Sequence, residues 1–255
     1  MESRKLQELY ANPDQSKGEN IKLWEEEELA SYREYTEKLY ENLRTSGILP
    51  QDMEGFVFLG VSSNKADKEK LLAELLDKGL SGKVFNKKPL IIAADFFGES
   101  DQSNLESQGF TPGFNPDEKP KLANINFSYL SADAYHIPLD DKSINVLFDR
   151  LGVLHHASDN FIIGPALANK VLEILKHWDA KLKPGGSILL DASALPRGPE
   201  KIDSTIDKLE HYITDNFNKN SAWDNFLKGL GELGFETSFI GSEANRLWRL
   251  HKIEV

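Results

Sequence analysis

Several short stretches of this chain carry side chains able to bind or act on a ligand. Asp133 stands directly before Ala134, just past the run Asn124-Ile-Asn-Phe-Ser-Tyr-Leu130. A carboxylate there can accept a hydrogen bond from an amino group while the next backbone N–H meets a ring nitrogen; it can equally be a turn former. Asp95, followed by Phe96, closes the apolar run that begins at Pro89. Its two acceptor oxygens suit a vicinal diol, with helix capping as the alternative. Asp149 and Arg150 precede the pair His155-His156. Histidine titrates near neutrality and can take a proton from a hydroxyl or an amine; a structural role stays open for both. As a metal site the pair is weak, because adjacent side chains diverge and no third ligand is signalled. His136 lies close to Asp133 in sequence. The remaining stretch is Gly60-Val-Ser62-Ser-Asn64. Glycine lets a backbone approach a ligand closely, and Asn tolerates the left-handed region better than most residues.

The elements around these residues alternate in type. Gly55-Phe-Val-Phe-Leu-Gly60 and Pro89–Phe97 are short continuous apolar runs, as expected of strands buried on both faces. Residues Asn124–Leu130, Ser143–Asp149 and Ser187–Asp191 add three further strands. Helices are expected over Ala66–Lys78, Ile162–Leu182, Ile202–Asn216 and Ala222–Leu233, and loop over 98–123. Glu236–Ile240 with Asn245–Ile253 predicts a closing antiparallel hairpin. Strand–helix–strand alternation implies crossover connections and a parallel sheet. Ligands of such sheets bind beyond the strands' carboxyl ends, where the residues above fall. Residues 1–48 read as helical, with Ile21, Trp24, Leu29, Tyr32, Tyr35, Leu39 and Leu43 approximating one apolar face, ended by Ser46-Gly47 and Pro50. The chain thus divides into an N-terminal helical cap (1–50) and a main domain (51–255), and the cap is a candidate lid.

Composition narrows the function classes. The chain has 255 residues, 40% of them apolar, enough for one large core. With 41 acidic against 30 basic residues the net charge is -11, which disfavours the non-specific attraction on which nucleic-acid binders rely. Cysteine is absent, so disulfides, thiolate metal sites and cysteine nucleophiles are excluded. No run reaches the roughly 18 apolar residues of a membrane span, and the first residues lack the apolar stretch of a signal peptide. A soluble, cytoplasmic protein is the expectation, with no nucleic-acid or membrane partner; oligomeric state is not legible.

Two segments go beyond fold class. Leu130-Ser-Ala-Asp-Ala-Tyr-His-Ile-Pro-Leu-Asp-Asp-Lys-Ser-Ile-Asn-Val-Leu-Phe-Asp149 continues into Arg-Leu-Gly-Val-Leu-His-His156, and a helix beginning near Val171 leads to Leu182-Lys-Pro-Gly-Gly186. In this order and spacing they resemble the second half of the class I S-adenosylmethionine-dependent methyltransferases, over roughly residues 55–255. The Pro184-Gly185-Gly186 step itself is a structural turn into a strand. The resemblance implies a Rossmann-like seven-stranded sheet, mostly parallel, with an antiparallel last strand and helices on both faces. It implies S-adenosylmethionine as cofactor and a methyl acceptor, here a small molecule. Asp95 and the adjoining Phe96 would serve the ribose, Asp133 and Ala134 the adenine, and Gly60, Ser62 and Asn64 the loop after strand one. Asp149 would lie on the cofactor rim, and His155 and His156 near the methyl-transfer position.

The loop departs from the family's acid-x-Gly-x-Gly-x-Gly. Phe58 stands at the acid, and Ser62 and Asn64 replace two glycines. The damaged loop motivates an alternative, a catalytically inactive methyltransferase-like binding or scaffold protein. A nucleotide-binding oxidoreductase fits less well, because strand one lacks Gly-x-Gly-x-x-Gly and the final hairpin is then unexplained.

Overall fold

The computed structural model describes residues 33–61, 63, 66–95, 119–150, 152–157, 162–192, 195–197, 200–202, 204–214, 219–242 and 245–253. Strands β1 (Val57–Val61), β2 (Leu90–Asp95), β3 (Asn126–Ser131), β4 (Ile144–Asp149), β5 (Leu182–Asp191), β8 (Phe235–Ile240) and β9 (Leu247–Lys252) form one seven-stranded sheet in the order β3-β2-β1-β4-β5-β9-β8. The first five pair in parallel, and β9 runs antiparallel to both of its neighbours. The fold is therefore the Rossmann-like sheet expected, with its last strand reversed. β1 and β4 are neighbours without being consecutive, so the chain winds outward in both directions from that pair. This crossover is where an open sheet of this kind leaves a crevice beyond its carboxyl ends.

Alternation along the strands divides the core in two. Val57, Leu59, Val61, Ile92, Leu147, Ile188 and Leu190 face one side, under α3 (Gly164–Lys181), α4 (Thr205–Thr214) and α5 (Lys219–Glu232). Phe56, Phe58, Ile91, Val146, Phe148 and Leu189 face the other, under α1 (33–45) and α2 (Asp67–Gly79). Both faces are covered, which is why the strands read as unbroken apolar runs. Trp223, Phe226 and Trp248 pack α5 onto the final hairpin, the two indoles stacking at 6.2 Å. Helix α1 ends where Gly47 takes φ +70 and Ile48 N–H donates back to the Leu43 carbonyl, a C-terminal cap of Schellman type. Its Tyr35, Leu39 and Leu43 belong to the second core, so the described part of residues 1–50 packs directly on the sheet. Residues 1–32 lie outside the described residues.

Two details differ from the sequence reading. Leu182-Lys-Pro-Gly-Gly186 is not only the end of a helix: β5 begins at Leu182, which pairs with Ile144, and the register then jumps so that Ser187 pairs with Val146. The intervening residues form a bulge with Gly185 at φ +73. Lys183 anchors it, its amine donating to the Gly55 carbonyl and to Asn145 Oδ1. Between β5 and α4, where no strand was expected, β6 (Leu195–Arg197) and β7 (Glu200–Ile202) form a small hairpin of their own. Most of the expected loop 98–123 lies outside the described residues.

Candidate functional site at the carboxyl rim

The carboxyl ends of β3, β2, β1 and β4 bring four of the predicted residues into one row. Asp133 lies two residues past β3, Asp95 ends β2, Gly60 is the penultimate residue of β1 and Asp149 ends β4. Register fixes their order: Asp95 pairs with Ser131, Gly60 with Ala93 and Phe148, and Val61 with Asp149. Asp191 continues the row at the end of β5 and is buried. Ser62, Asn64 and Phe96 lie outside the described residues.

The floor of the row is the turn after β1. Ser63 is buried; its N–H donates to the Ala94 carbonyl at 3.0 Å and its hydroxyl to the Gly60 carbonyl at 3.0 Å. These bonds hold the turn against β2 and lead to Ala66, which enters α2 with φ 59 and no side-chain cap. Phe58, where the family pattern has an acid, is fully buried with its ring 6.0 Å from that of Phe148. Above Gly60 lies Glu69, from the first turn of α2. A Cβ on Gly60 would stand 2.4 Å from Glu69 Oε1 and 2.9 Å from its Cγ and Cδ, so glycine is what leaves room for this carboxylate. Glu69 is 2% exposed, and its Oε2 has no hydrogen-bond partner among the described residues. Burial holds it above the ordinary carboxylate range, against the opposing influence of Lys68, its own backbone N–H and the Ser63 hydroxyl.

Asp133 makes a tight local turn. Oδ1 accepts from the Tyr135 N–H at 2.9 Å and Oδ2 lies 3.0 Å from His136 Nδ1. Its modest burial would raise the pKa; hydrogen bonds from His136 and Tyr135 outweigh that and hold it below the usual value. The turn-forming role is therefore observed, and a carboxylate retains lone pairs for a further donor. The loop is anchored from α3: Trp178 Nε1 donates to the Ala134 carbonyl at 2.7 Å, and His177 Nε2 accepts from the Ile137 N–H at 3.1 Å. Trp178 is fully buried.

Beyond β4, Asp149 is completely buried and Oδ2 accepts the Leu154 N–H at 2.9 Å, while Oδ1 has no hydrogen-bond partner among the described residues. Burial pushes its pKa up to about 6, opposed by the Leu154 N–H and by the charges of Lys68 and His156. His155 is buried and His156 exposed, with their rings edge to face at 5.1 Å. Only His156 thus presents its ring to solvent. Arg150 stacks its guanidinium 3.7 Å from the centroid of Tyr35 on α1, bringing that helix to the rim. Asn42 of α1 also donates to the Asn245 carbonyl in the turn between β8 and β9.

The sequence reading missed Glu69, Trp178 and His177. Glu69 was detectable, since it shares the i, i+3, i+4, i+7 stripe of Leu72, Ala73 and Leu76, all buried. An acid on an apolar stripe is either misplaced or functional. Trp178 carried no such signal, being one more large residue on the buried face of α3.

No family model matches the chain, and no curated protein matches it. Among solved structures it is similar to a SAM-dependent methyltransferase from Aquifex aeolicus, at 14% identity and TM-score 0.41, over 79% of this chain and 84% of that one. It is similar to SAM-dependent methyltransferases from Methanosarcina mazei at 14% identity and TM-score 0.41, over 80% and 95%. It is also similar to a possible exported protein from Bordetella parapertussis at 15% identity and TM-score 0.43, over 89% and 67%. Likenesses this distant carry no functional argument, and the fold stands on the strand order itself. Among the described residues no helix is long and apolar enough to cross a membrane, and no group of His, Asp and Glu could hold a metal ion.

Proposed function

We propose that this protein is an S-adenosylmethionine-dependent methyltransferase acting on a small molecule, with the cofactor lying along the carboxyl rim at the β1/β4 crossover. The observation that carries the reading is the row of Asp133, Asp95, Gly60 and Asp149 on that rim, in the order of the strands. The residues fit such a cofactor. A cation bearing a diol, an aromatic amine and an amino-acid end needs acceptors, and the row supplies carboxylates, with Glu69 Oε2 and Asp149 Oδ1 buried and unbonded among the described residues. In this reading Asp95 accepts from both ribose hydroxyls, with Phe96 beside it. Asp133 accepts from the adenine amino group and the Ala134 N–H meets a ring nitrogen, in a loop that Trp178 and His177 hold still. Gly60 with Ser62 and Asn64 forms the floor. When bound, S-adenosylmethionine supplies a methyl group already activated by its sulfonium. The protein's share is then alignment more than acid–base chemistry. His156 is placed to take the acceptor's proton, and His155 to pack beneath it. Asp149 fixes the turn that carries both. A small acceptor suits a net charge of -11 and the contact of α1 with the rim. The same reading sets the protein in the cytoplasm, where its cysteine-free composition is at home.

Calorimetric titration with S-adenosylhomocysteine tests this. Binding is expected, weakened about 10- to 100-fold in Asp95→Ala, where the hydroxyls lose a charged acceptor. No heat and no thermal shift at millimolar ligand would overturn it. Absence of binding would favour the second reading, a methyltransferase-like scaffold. What speaks for that reading is Phe58 locked in the core and Glu69 over Gly60, where the family keeps open glycine backbone.

A further inference from the structure

We infer that Glu69, from the first turn of α2, replaces the acid missing from β1 and accepts the ammonium of the cofactor's amino-acid end. The inference rests on the cofactor reading above and assigns a residue to it. Position 58 cannot hold the acid, because its side chain is core and packs on Phe148. Residues 58 and 60 share one face of β1, the face that α2 covers. Glu69 therefore brings its carboxylate to the same face two residues nearer the rim, in the space Gly60 leaves by having no Cβ.

Three observations separate this from an incidental buried acid. The side chain is 2% exposed, a placement rare for glutamate without a partner. Its Oε2 has no hydrogen-bond partner among the described residues, although burying an acceptor unmet is costly. The surroundings offer few protons: besides Glu69's own N–H there is the Ser63 hydroxyl, whose single proton is shared between the carboxylate and the Gly60 carbonyl at 3.0 Å, and neither leaves a partner for Oε2. The cation that acts on Glu69 among the described residues is Lys68, which burial holds below its usual pKa and which Asp149 and Asp191 share with Glu69. A primary ammonium has three donors and a full charge, so it would satisfy Oε2 and reach the Asp149 side of the crossover as well. A neutral donor could meet Oε2 but would leave its charge unbalanced, and an anion would be repelled.

The test varies the ligand as well as the protein. Calorimetry on the full chain uses S-adenosylhomocysteine, its deaminated analogue, and 5′-methylthioadenosine, which lacks the whole amino-acid end. Wild type is expected to bind S-adenosylhomocysteine about 10- to 100-fold more tightly than the deaminated analogue. Glu69→Gln, nearly isosteric, should erase most of that difference and leave methylthioadenosine affinity unchanged. Equal wild-type affinity for S-adenosylhomocysteine and the deaminated analogue overturns the inference without any mutant having to fold. A Glu69→Gln variant that loses affinity equally for all three ligands also overturns it, since Glu69 would then only support the turn. If the wild type binds none of the three, the cofactor reading itself falls and this assignment with it.

Discussion

Asp149 shows how a side chain can be held at a cost to stability. Its pKa of about 6 in the folded chain lies above the ordinary value of 3.8, with burial as the largest cause. Between these values the folded state binds the proton more tightly than the unfolded one. The contribution of Asp149 to stability therefore falls as pH rises through about 4 to 6, and the full penalty stands at pH 7. Asp149→Asn keeps an oxygen for the Leu154 N–H and removes the charge. It should stabilise the protein at pH 7.5 by up to about 3 kcal/mol and by less at pH 5. Urea unfolding at the two pH values checks this; equal destabilisation at both would show that the charge is compensated. Glu69 is raised in the same direction, so some slope should survive in the variant. Residue types were legible here and environments were not. Asp95 and Asp133 could be placed on a rim because they follow strands. That Asp149 is buried depended on the packing of the whole sheet, with Lys68 of α2 brought close enough to act on it, which no local pattern records.

At the scale of elements, what reads well is what is locally redundant. β1, β2 and β4 are continuous apolar runs because both faces are covered, and α2 and α3 repeat their apolar positions over several turns. The bulge at the start of β5 is the counterexample. Leu182-Lys-Pro-Gly-Gly186 has turn composition, yet its ends are ladder residues, because Leu182 meets Ile144 across a register jump. A Cβ on Gly186 would stand 2.9 Å from the Lys183 carbonyl and 3.2 Å from that of Asn145, both backbone atoms with little freedom to move. Gly186→Ala should therefore cost about 1–3 kcal/mol. Gly231 in α5 is the matched control, with nothing within 4 Å of its added Cβ. Gly231→Ala should instead gain roughly 0.5–1 kcal/mol. Thermal melts of the two variants should move in opposite directions; a shared direction would mean that glycine content, and not the bulge, sets the response.

For the whole molecule, the strand order puts the site at the one place where the chain winds both ways, and α1 approaches it through Tyr35 and Arg150. A mostly parallel sheet closed by an antiparallel hairpin could be anticipated from alternating strands and helices with a terminal hairpin. Which side chains fill the crossover could not, because the family pattern puts an acid where the core residue Phe58 stands and says nothing of Glu69. The proposed function requires that S-adenosyl ligands occupy this rim. Hydrogen exchange on the full chain, with and without saturating S-adenosylhomocysteine, tests it most directly. Slowed exchange is predicted in residues 60–69, 133–137 and 149–157, with the amino ends of the strands and the β8–β9 hairpin unchanged. Unaltered exchange across the rim, or protection confined to another surface, would contradict it.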